Sequence, residues 1–201
     1  RAAHLGFGGR VLERLDQGLD RLEPASRILF QCPVHRPRHV AGKTGGQDIQ
    51  RRRGRHAVLV ENVDGRVTVE RQVAEAVKQG AKVILGGKRF QPNGLKGYYF
   101  EPTILTGVRH GTLPTREEVF GPVLSLTVAA NPDEAITMAN DSPYGLGACV
   151  YTRDLELAMR AMHEIKAGTF WINDPLTDND AAPFGGMRWS GIGRELGEEG
   201  L

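Results

Sequence analysis

Between Thr68 and Ile172 the apolar residues switch repeatedly between a helical and an extended period, and this alternation narrows the available folds more than any other feature. Val69, Val73, Ala76 and Val77 recur at helical spacing and Gly80 stops the run, which predicts a glycine-terminated helix. Val83-Ile84-Leu85 reads as a short buried strand closed by Gly86-Gly87, and residues 98–105 as a second extended segment interrupted at Pro102. Residues 123–129 alternate, with Leu124, Leu126 and Val128 on one face and Ser125 and Thr127 on the other. Asn131-Pro132-Asp133-Glu134 has the chemistry of a helix start, with Asn at the N-cap, Pro at the first helical position and Glu placed for a capping box. That helix should run to about Asn140; residues 145–151 are strand-like, and Leu155, Ala158, Met159 and Met162 mark a further helix face. Residues 168–172 make another strand, followed by a loop rich in Asp, Pro and Gly. Strands alternating with helices predict an α/β domain with a mostly parallel sheet flanked by helices.

Residues 1–67 lack this order. Arg supplies nearly all of their positive charge, prolines fall at positions 24, 33 and 37, and apart from helical spacing around residues 11–22 no period is sustained. Local choices that disagree argue against a well-funnelled native segment. The expected organisation is an irregular, Arg-rich segment over residues 1–67 and a folded part over residues 68–201. Charge divides in the same way. Residues 1–60 hold 12 basic and 5 acidic side chains, a net of +7, whereas residues 61–201 hold 14 and 19, a net of −5, so the total of +2 averages two unlike parts.

At 40% hydrophobic and 25% charged residues, the 201-residue chain falls outside the collagen-like, disulfide-dense and strongly disordered classes. No apolar run reaches the eighteen residues or more that a membrane-spanning helix needs, so no membrane partner is expected. The opening Arg1-Ala2-Ala3-His4 has neither an initiator Met nor an apolar core, which leads to the expectation of no signal peptide and of a piece of something longer. Two cysteines, Cys32 and Cys149, suit a reducing compartment, with the cytoplasm as the expected location.

The amino-terminal motifs are weak. Gly42-Lys43-Thr44 would need Gly at position 37 to make a phosphate loop, and that position is Pro37. Gly6-Phe7-Gly8-Gly9 lacks the spacing of a dinucleotide fingerprint. Cys32, His35 and His39 could offer three zinc ligands, but Pro33 and Pro37 prevent the helix that would align the histidines, and no fourth ligand is near; no metal is expected. The run Arg51-Arg52-Arg53-Gly54-Arg55-His56 has no interleaved aromatics to stack on bases, so no nucleic-acid partner is expected.

The chemistry is concentrated further on. In Arg116-Glu117-Glu118-Val119-Phe120-Gly121-Pro122-Val123 two carboxylates precede an aromatic and a Gly-Pro turn into a strand. Such a segment is either a solvated acidic turn or a ligand clamp, in which a carboxylate accepts hydrogen bonds from both hydroxyls of a ribose and the Phe offers a flat face to an attached heterocycle. A second segment follows: Gly168-Thr169-Phe170-Trp171-Ile172-Asn173, then Ala182-Pro183-Phe184-Gly185-Gly186-Met187, then Ser190-Gly191-Ile192-Gly193-Arg194-Glu195-Leu196-Gly197. Together, and with Gln79-Gly80-Ala81-Lys82, Tyr99-Phe100-Glu101-Pro102-Thr103 and Tyr144-Gly145-Leu146 in order between them, these motifs closely resemble the NAD(P)-dependent aldehyde dehydrogenase superfamily. The resemblance covers residues 68–201 and corresponds to the carboxyl-terminal part of the catalytic domain.

The resemblance implies oxidation of an aldehyde to a carboxylic acid with NAD or NADP. A cysteine thiolate attacks the aldehyde, hydride leaves for the nicotinamide, and a glutamate activates the water that hydrolyses the thioester. It implies that Glu118 binds the nicotinamide ribose hydroxyls, that Phe120 packs beside the nicotinamide ring, and that Phe184 lines the aldehyde tunnel, although a core position suits Phe184 as well. Residues 174–179 should shape the tunnel mouth, and Gly185 and Gly186 should permit tight backbone there. It also implies a parent that is a homo-oligomer, dimer or tetramer, acting on an aldehyde of which betaine aldehyde or another small polar one is the family-level expectation.

The departures are as informative. The family's nucleophile stands in a Gly-Gln-x-Cys motif shortly before a Ser-Arg-x-Leu strand; Ser26-Arg27-Ile28-Leu29 looks like that strand, yet residues 17–25 contain no cysteine. Cys32 falls after it, and Cys149 lies within a predicted buried strand and reads as packing. No catalytic nucleophile or base is therefore assigned, and the base glutamate and most of the cofactor domain are expected before residue 1. Two origins for the irregular segment stay open: divergence, or a shifted reading frame over parts of residues 10–65. Val11-Leu12-Glu13-Arg14 is encodable by codons that one base later read Phe-Trp-Asn, typical of the family before its nucleophile. The leading reading is a fragment of an aldehyde-oxidising enzyme, inactive alone. The alternative is a non-catalytic relic or interaction module that keeps the fold.

Overall fold

The computed structural model describes residues 58–60, 63–91, 96–174 and 179–200, across which short strands and three α-helices interleave. Strand β1 (Val58–Val60) precedes helix α1 (Val63–Lys78), which starts upstream of the Thr68 where the sequence pattern becomes regular. Strands β2 (Lys82–Leu85), β3 (Arg89–Phe90), β4 (Tyr98–Phe100), β5 (Thr103–Thr106) and β6 (Val123–Ser125) follow, then α2 (Pro132–Asn140), β7 (Gly147–Val150), α3 (Leu155–Glu164) and β8 (Thr169–Ile172). The Cys32, His35 and His39 set, the basic run and the other amino-terminal motifs lie outside the described residues.

The architecture is α/β, as the alternation predicts, with small mixed sheets. β5 pairs with β6, and β7 with β8, in parallel. β1 and β3 flank β4, and β2 flanks β5, all antiparallel. The expected mostly parallel sheet is therefore confined to two pairs among the described residues. The connections from β2 to β5 are too short for the crossovers that parallel pairing needs, so that segment folds back on itself.

Helix α1 ends as its glycine predicts. Gly80, at φ 103°, closes a Schellman turn in which its N–H donates to Val77 O at 3.0 Å and the Ala81 N–H to Ala76 O at 3.0 Å. Val69, Val73 and Ala76 of α1 pack on Phe100, Leu105 and Val108, while Val77 at the edge of that face is exposed. In α2 the Asn131 side chain caps the helix, accepting the Glu134 N–H at 2.9 Å. The Glu134 carboxylate returns to the Ala130 N–H, one residue before the cap, rather than to Asn131 as a reciprocal capping box has it.

Three orientations differ from expectation. Val83 and Ile84 are exposed, because β2 is an outer strand with a register shift between Val83 and Leu85. The alternation of residues 123–129 yields a strand only to Ser125, and Val128 points outward. In α3 the buried residues are Ala158 and Ala161, with Ile165 after the helix; Leu155, Met159 and Met162 face out, Leu155 at 75% exposure. Alanines let the helix approach α2 and β8 closely, and this choice of face turns the longer side chains away. Cys149 is buried within β7, as its packing role predicts, and burial pushes its thiol up to about 11, far from the thiolate that nucleophilic chemistry requires.

An ion cluster ties the loops together. Arg116 grips Asp141 through Nη1 to Oδ1 at 2.8 Å and Nη2 to Oδ2 at 2.5 Å, and His110 Nε2 lies 2.7 Å from the same Oδ2. Chiefly through the Arg116 hydrogen bonds, and next through His110, the Asp141 carboxyl falls from 3.8 to about 2. A lowered folded-state value stabilises the fold above the unfolded value and loses that contribution as pH falls through the folded one. The expected result is that Asp141→Asn flattens the dependence of stability on pH between about 4 and 2, read from urea titrations at several pH values. An unchanged slope would remove the cluster from the acid response.

Candidate active-site segment

The acidic turn is built against helix α1. Gly121 sits where a Cβ would come within 2.6 Å of Val69 Cγ2, so the Gly-Pro corner lies directly on the helix face. Gln72, only 3% exposed, donates from Nε2 to the Glu118 backbone oxygen at 2.9 Å and reaches Glu117 Oε2 at 3.4 Å. Arg71 Nη2 completes the hold on Glu117 Oε2 at 3.2 Å. The Gly121 N–H closes the turn onto Val119 O at 2.8 Å, and β6 begins at Val123. Glu117 is thus tied to α1 through its carboxylate, and Glu118 through its backbone oxygen. Glu118 is partly buried and Phe120 is 52% exposed.

Gln72 was not singled out by sequence reasoning, although its signal was present. It occupies a face position of α1 between Val69 and Val73, where a polar group must find a partner, and its Oε1 has none among the described residues. Replacing Gln72 by Leu is expected to cost about 1–2 kcal/mol, because the Glu118 carbonyl loses its donor. Urea unfolding of the variant measures it, and no loss would show that the turn is held by other contacts.

Phe184 belongs to a second assembly. Its backbone exchanges hydrogen bonds with Glu195, Phe184 N–H to Glu195 O at 2.6 Å and Glu195 N–H to Phe184 O at 2.8 Å, and its side chain is partly buried. Arg194 Nη1 braces the turn by donating to Gly186 O at 2.9 Å and Gly193 O at 2.7 Å. A Cβ on Gly185 would come within 2.6 Å of Gly193 O, so close backbone approach accounts for that glycine. Arg188 Nη1 anchors the following residues on Asn140 O at 2.8 Å and Ser142 O at 2.6 Å, at the end of α2. Of residues 174–179, those at 175–178 lie outside the described residues. No cluster of three or more metal-ligating side chains occurs among the described residues, and no helix among them is long and apolar enough to cross a membrane.

The family model described as "Aldehyde dehydrogenase family" matches residues 60–201. The peroxisomal aminoaldehyde dehydrogenase 1 of Pisum sativum is 46% identical over 130 residues, 64% of this chain and 25% of that protein. The cytosolic aldehyde dehydrogenase 1 of Rattus norvegicus is 43% identical over 124 residues, 62% of this chain and 24% of that one. A crystal structure of the Staphylococcus aureus betaine aldehyde dehydrogenase in complex with NAD+ superimposes at a TM-score of 0.65 with 42% identity, covering 69% of this chain and 28% of that one. The chain belongs to the aldehyde dehydrogenase family. It spans about a quarter of the length of these curated relatives.

Proposed function

We propose that this part of the chain supplies the nicotinamide-facing turn and part of the aldehyde tunnel of an enzyme that oxidises an aldehyde to a carboxylic acid with NAD or NADP. The observation that carries the reading is the turn at residues 117–122, which α1 holds by main-chain and side-chain contacts, with Glu118 partly buried and Phe120, two positions on, half-exposed. The fit to the cofactor is local. A carboxylate has the acceptor capacity for two ribose hydroxyls, and a half-exposed Phe ring offers the apolar face that a nicotinamide needs. When bound, the dinucleotide supplies a hydride acceptor; the residues of this chain bind and orient it. Phe184, braced by the Arg194 turn, lines the aldehyde path.

By itself the chain is proposed to be catalytically silent, because its sequence holds no Gly-Gln-x-Cys motif and its buried Cys149 is held protonated. The boundary near residue 67, the homo-oligomeric parent and the cytoplasmic location belong to the same proposal; the low cysteine count supports the last, while the relatives' printed locations differ, cytosolic in the rat and peroxisomal in the pea.

The nicotinamide half of the cofactor provides the test. Nicotinamide mononucleotide added to the full chain is expected to shift the NMR signals of Glu118 and Phe120 with an affinity of about 1 mM or weaker, whereas adenosine monophosphate leaves them in place. Glu118→Ala and Phe120→Ala should each abolish the shifts. Equal responses to both nucleotides would overturn the assignment.

A further inference from the structure

One corner of the fold is gripped from both halves of the candidate site. It is the run Asn140-Asp141-Ser142, where α2 ends and the chain turns toward β7. From one side comes Arg116, two residues before Glu118. Its fork closes on both oxygens of the Asp141 carboxylate, and its Nη1 also donates to the Asp141 main-chain oxygen at 3.1 Å. From the other side comes Arg188, four residues after Phe184. Its Nη1 donates to Asn140 O at 2.8 Å and to Ser142 O at 2.6 Å, the carbonyls on either side of Asp141. Three successive residues thus receive one arginine from the turn that carries Glu118 and another from the turn that carries Phe184.

The corner itself is fixed. Asn140 is locked to the connection between α3 and β8 by a reciprocal pair, its Nδ2 donating to Glu164 O at 2.8 Å and the Lys166 N–H to its Oδ1 at 2.7 Å. The Asp141 N–H stays on the last turn of α2, donating to Thr137 O at 3.0 Å. Further along, the Trp189 N–H donates to Pro143 O at 3.0 Å and the Gly145 N–H to Ser190 Oγ at 3.0 Å, so the residues around Arg188 are laid along residues 143–145.

Two observations give the arginines an orienting task. The Arg116 and Asp141 side chains are 41% and 48% exposed, and ion pairs so exposed add only modestly to stability, whereas a two-point fork fixes direction. Arg188 has φ 59°, in the left-handed region that a non-glycine residue enters only at a cost. Such a conformation persists where the surroundings hold it, and here the two carbonyl contacts of the guanidinium supply the hold.

We infer that the corner at residues 140–142 fixes the Glu118 turn and the Phe184 turn relative to each other, with Asp141 and Arg188 as positioning residues for nicotinamide binding. This rests on the proposed reading of Glu118 and Phe120 as the nicotinamide contacts, and adds that the turn carrying Phe184 governs how well that contact is made.

NMR of the full chain, with nicotinamide mononucleotide as the probe, tests it. Arg188→Gly suits the left-handed backbone and removes the guanidinium. It is expected to move the amide signals of Glu118 and Phe120 and to weaken their response to the nucleotide about tenfold. Reciprocally, Arg116→Lys keeps the charge but not the fork, and should move the amide signals of Phe184 and Glu195. Amides of each turn that stay in place when the other turn's arginine is changed would overturn the inference. So would a nucleotide affinity unchanged in both variants. An unmodified chain that ignores the nucleotide would instead refute the nicotinamide assignment, and the amide signals alone would then decide whether the two turns are coupled. Should Arg188→Gly unfold, seen as loss of the folded position of the Leu105 amide in the core around α1, Arg188→Met, as long but without a donor, takes its place and the same two readings apply.

Discussion

Gly168→Ala is expected to destabilise the fold by about 3 kcal/mol or more, among the largest effects of any single-methyl addition here. A Cβ at this position would lie 1.7 Å from Gly185 O, 2.7 Å from Gly185 C and 3.0 Å from Gly186 Cα. All three are main-chain atoms, so no side-chain rotation relieves the clash, and either β8 or the turn that follows Phe184 must move. The surroundings leave little slack. The Gly168 N–H donates to Gly145 O at 3.0 Å, and the Met187 N–H donates to the same oxygen at 3.0 Å, so one carbonyl holds both pieces of backbone. Gly80→Ala is the informative control. It has φ 103° and nothing within 4 Å of its Cβ, so it incurs backbone strain alone, about 1 kcal/mol. Urea unfolding of the two variants separates steric exclusion from conformational strain. A Gly168→Ala cost no greater than that of Gly80→Ala would show that β8 and the Phe184 turn are not in the close contact described.

The sequence made the local devices readable. Asn131 caps α2 and Gly80 ends α1 because each acts through atoms a few residues away. What the sequence hid depends on distant partners. Whether Val83 and Ile84 are covered is decided by the place of β2 at the edge of its sheet, and the outward face of α3 by the alanines that allow close approach. Antiparallel pairing from β2 to β5 follows from connection length, which periodicity alone does not weigh. At the candidate site Glu118 and Phe120 stand out in the sequence through the resemblance, while residue types alone leave a solvated acidic turn open. Their support by Gln72 and Arg71 was not legible, since that contact joins residues about 46 positions apart. A glutamine on an otherwise apolar helix face is the trace such a contact leaves in sequence.

The second large effect concerns catalysis. Residues 60–201 match the aldehyde dehydrogenase family, yet aldehyde oxidation in the manner proposed needs a reactive thiolate near the nicotinamide. Cys149 is buried with its thiol pushed up to about 11, and Cys32 follows rather than precedes the Ser26-Arg27-Ile28-Leu29 segment. The coding DNA bears on the origin of this arrangement: a shifted frame predicts a Gly-Gln-x-Cys motif in another reading frame upstream of that segment, and divergence predicts none. Function is tested more directly by aldehyde-dependent formation of NADH or NADPH, followed at 340 nm with the purified 201-residue chain and a small polar aldehyde such as betaine aldehyde. The account predicts no rate above the protein-free control with either nucleotide; turnover that requires both aldehyde and chain would contradict it.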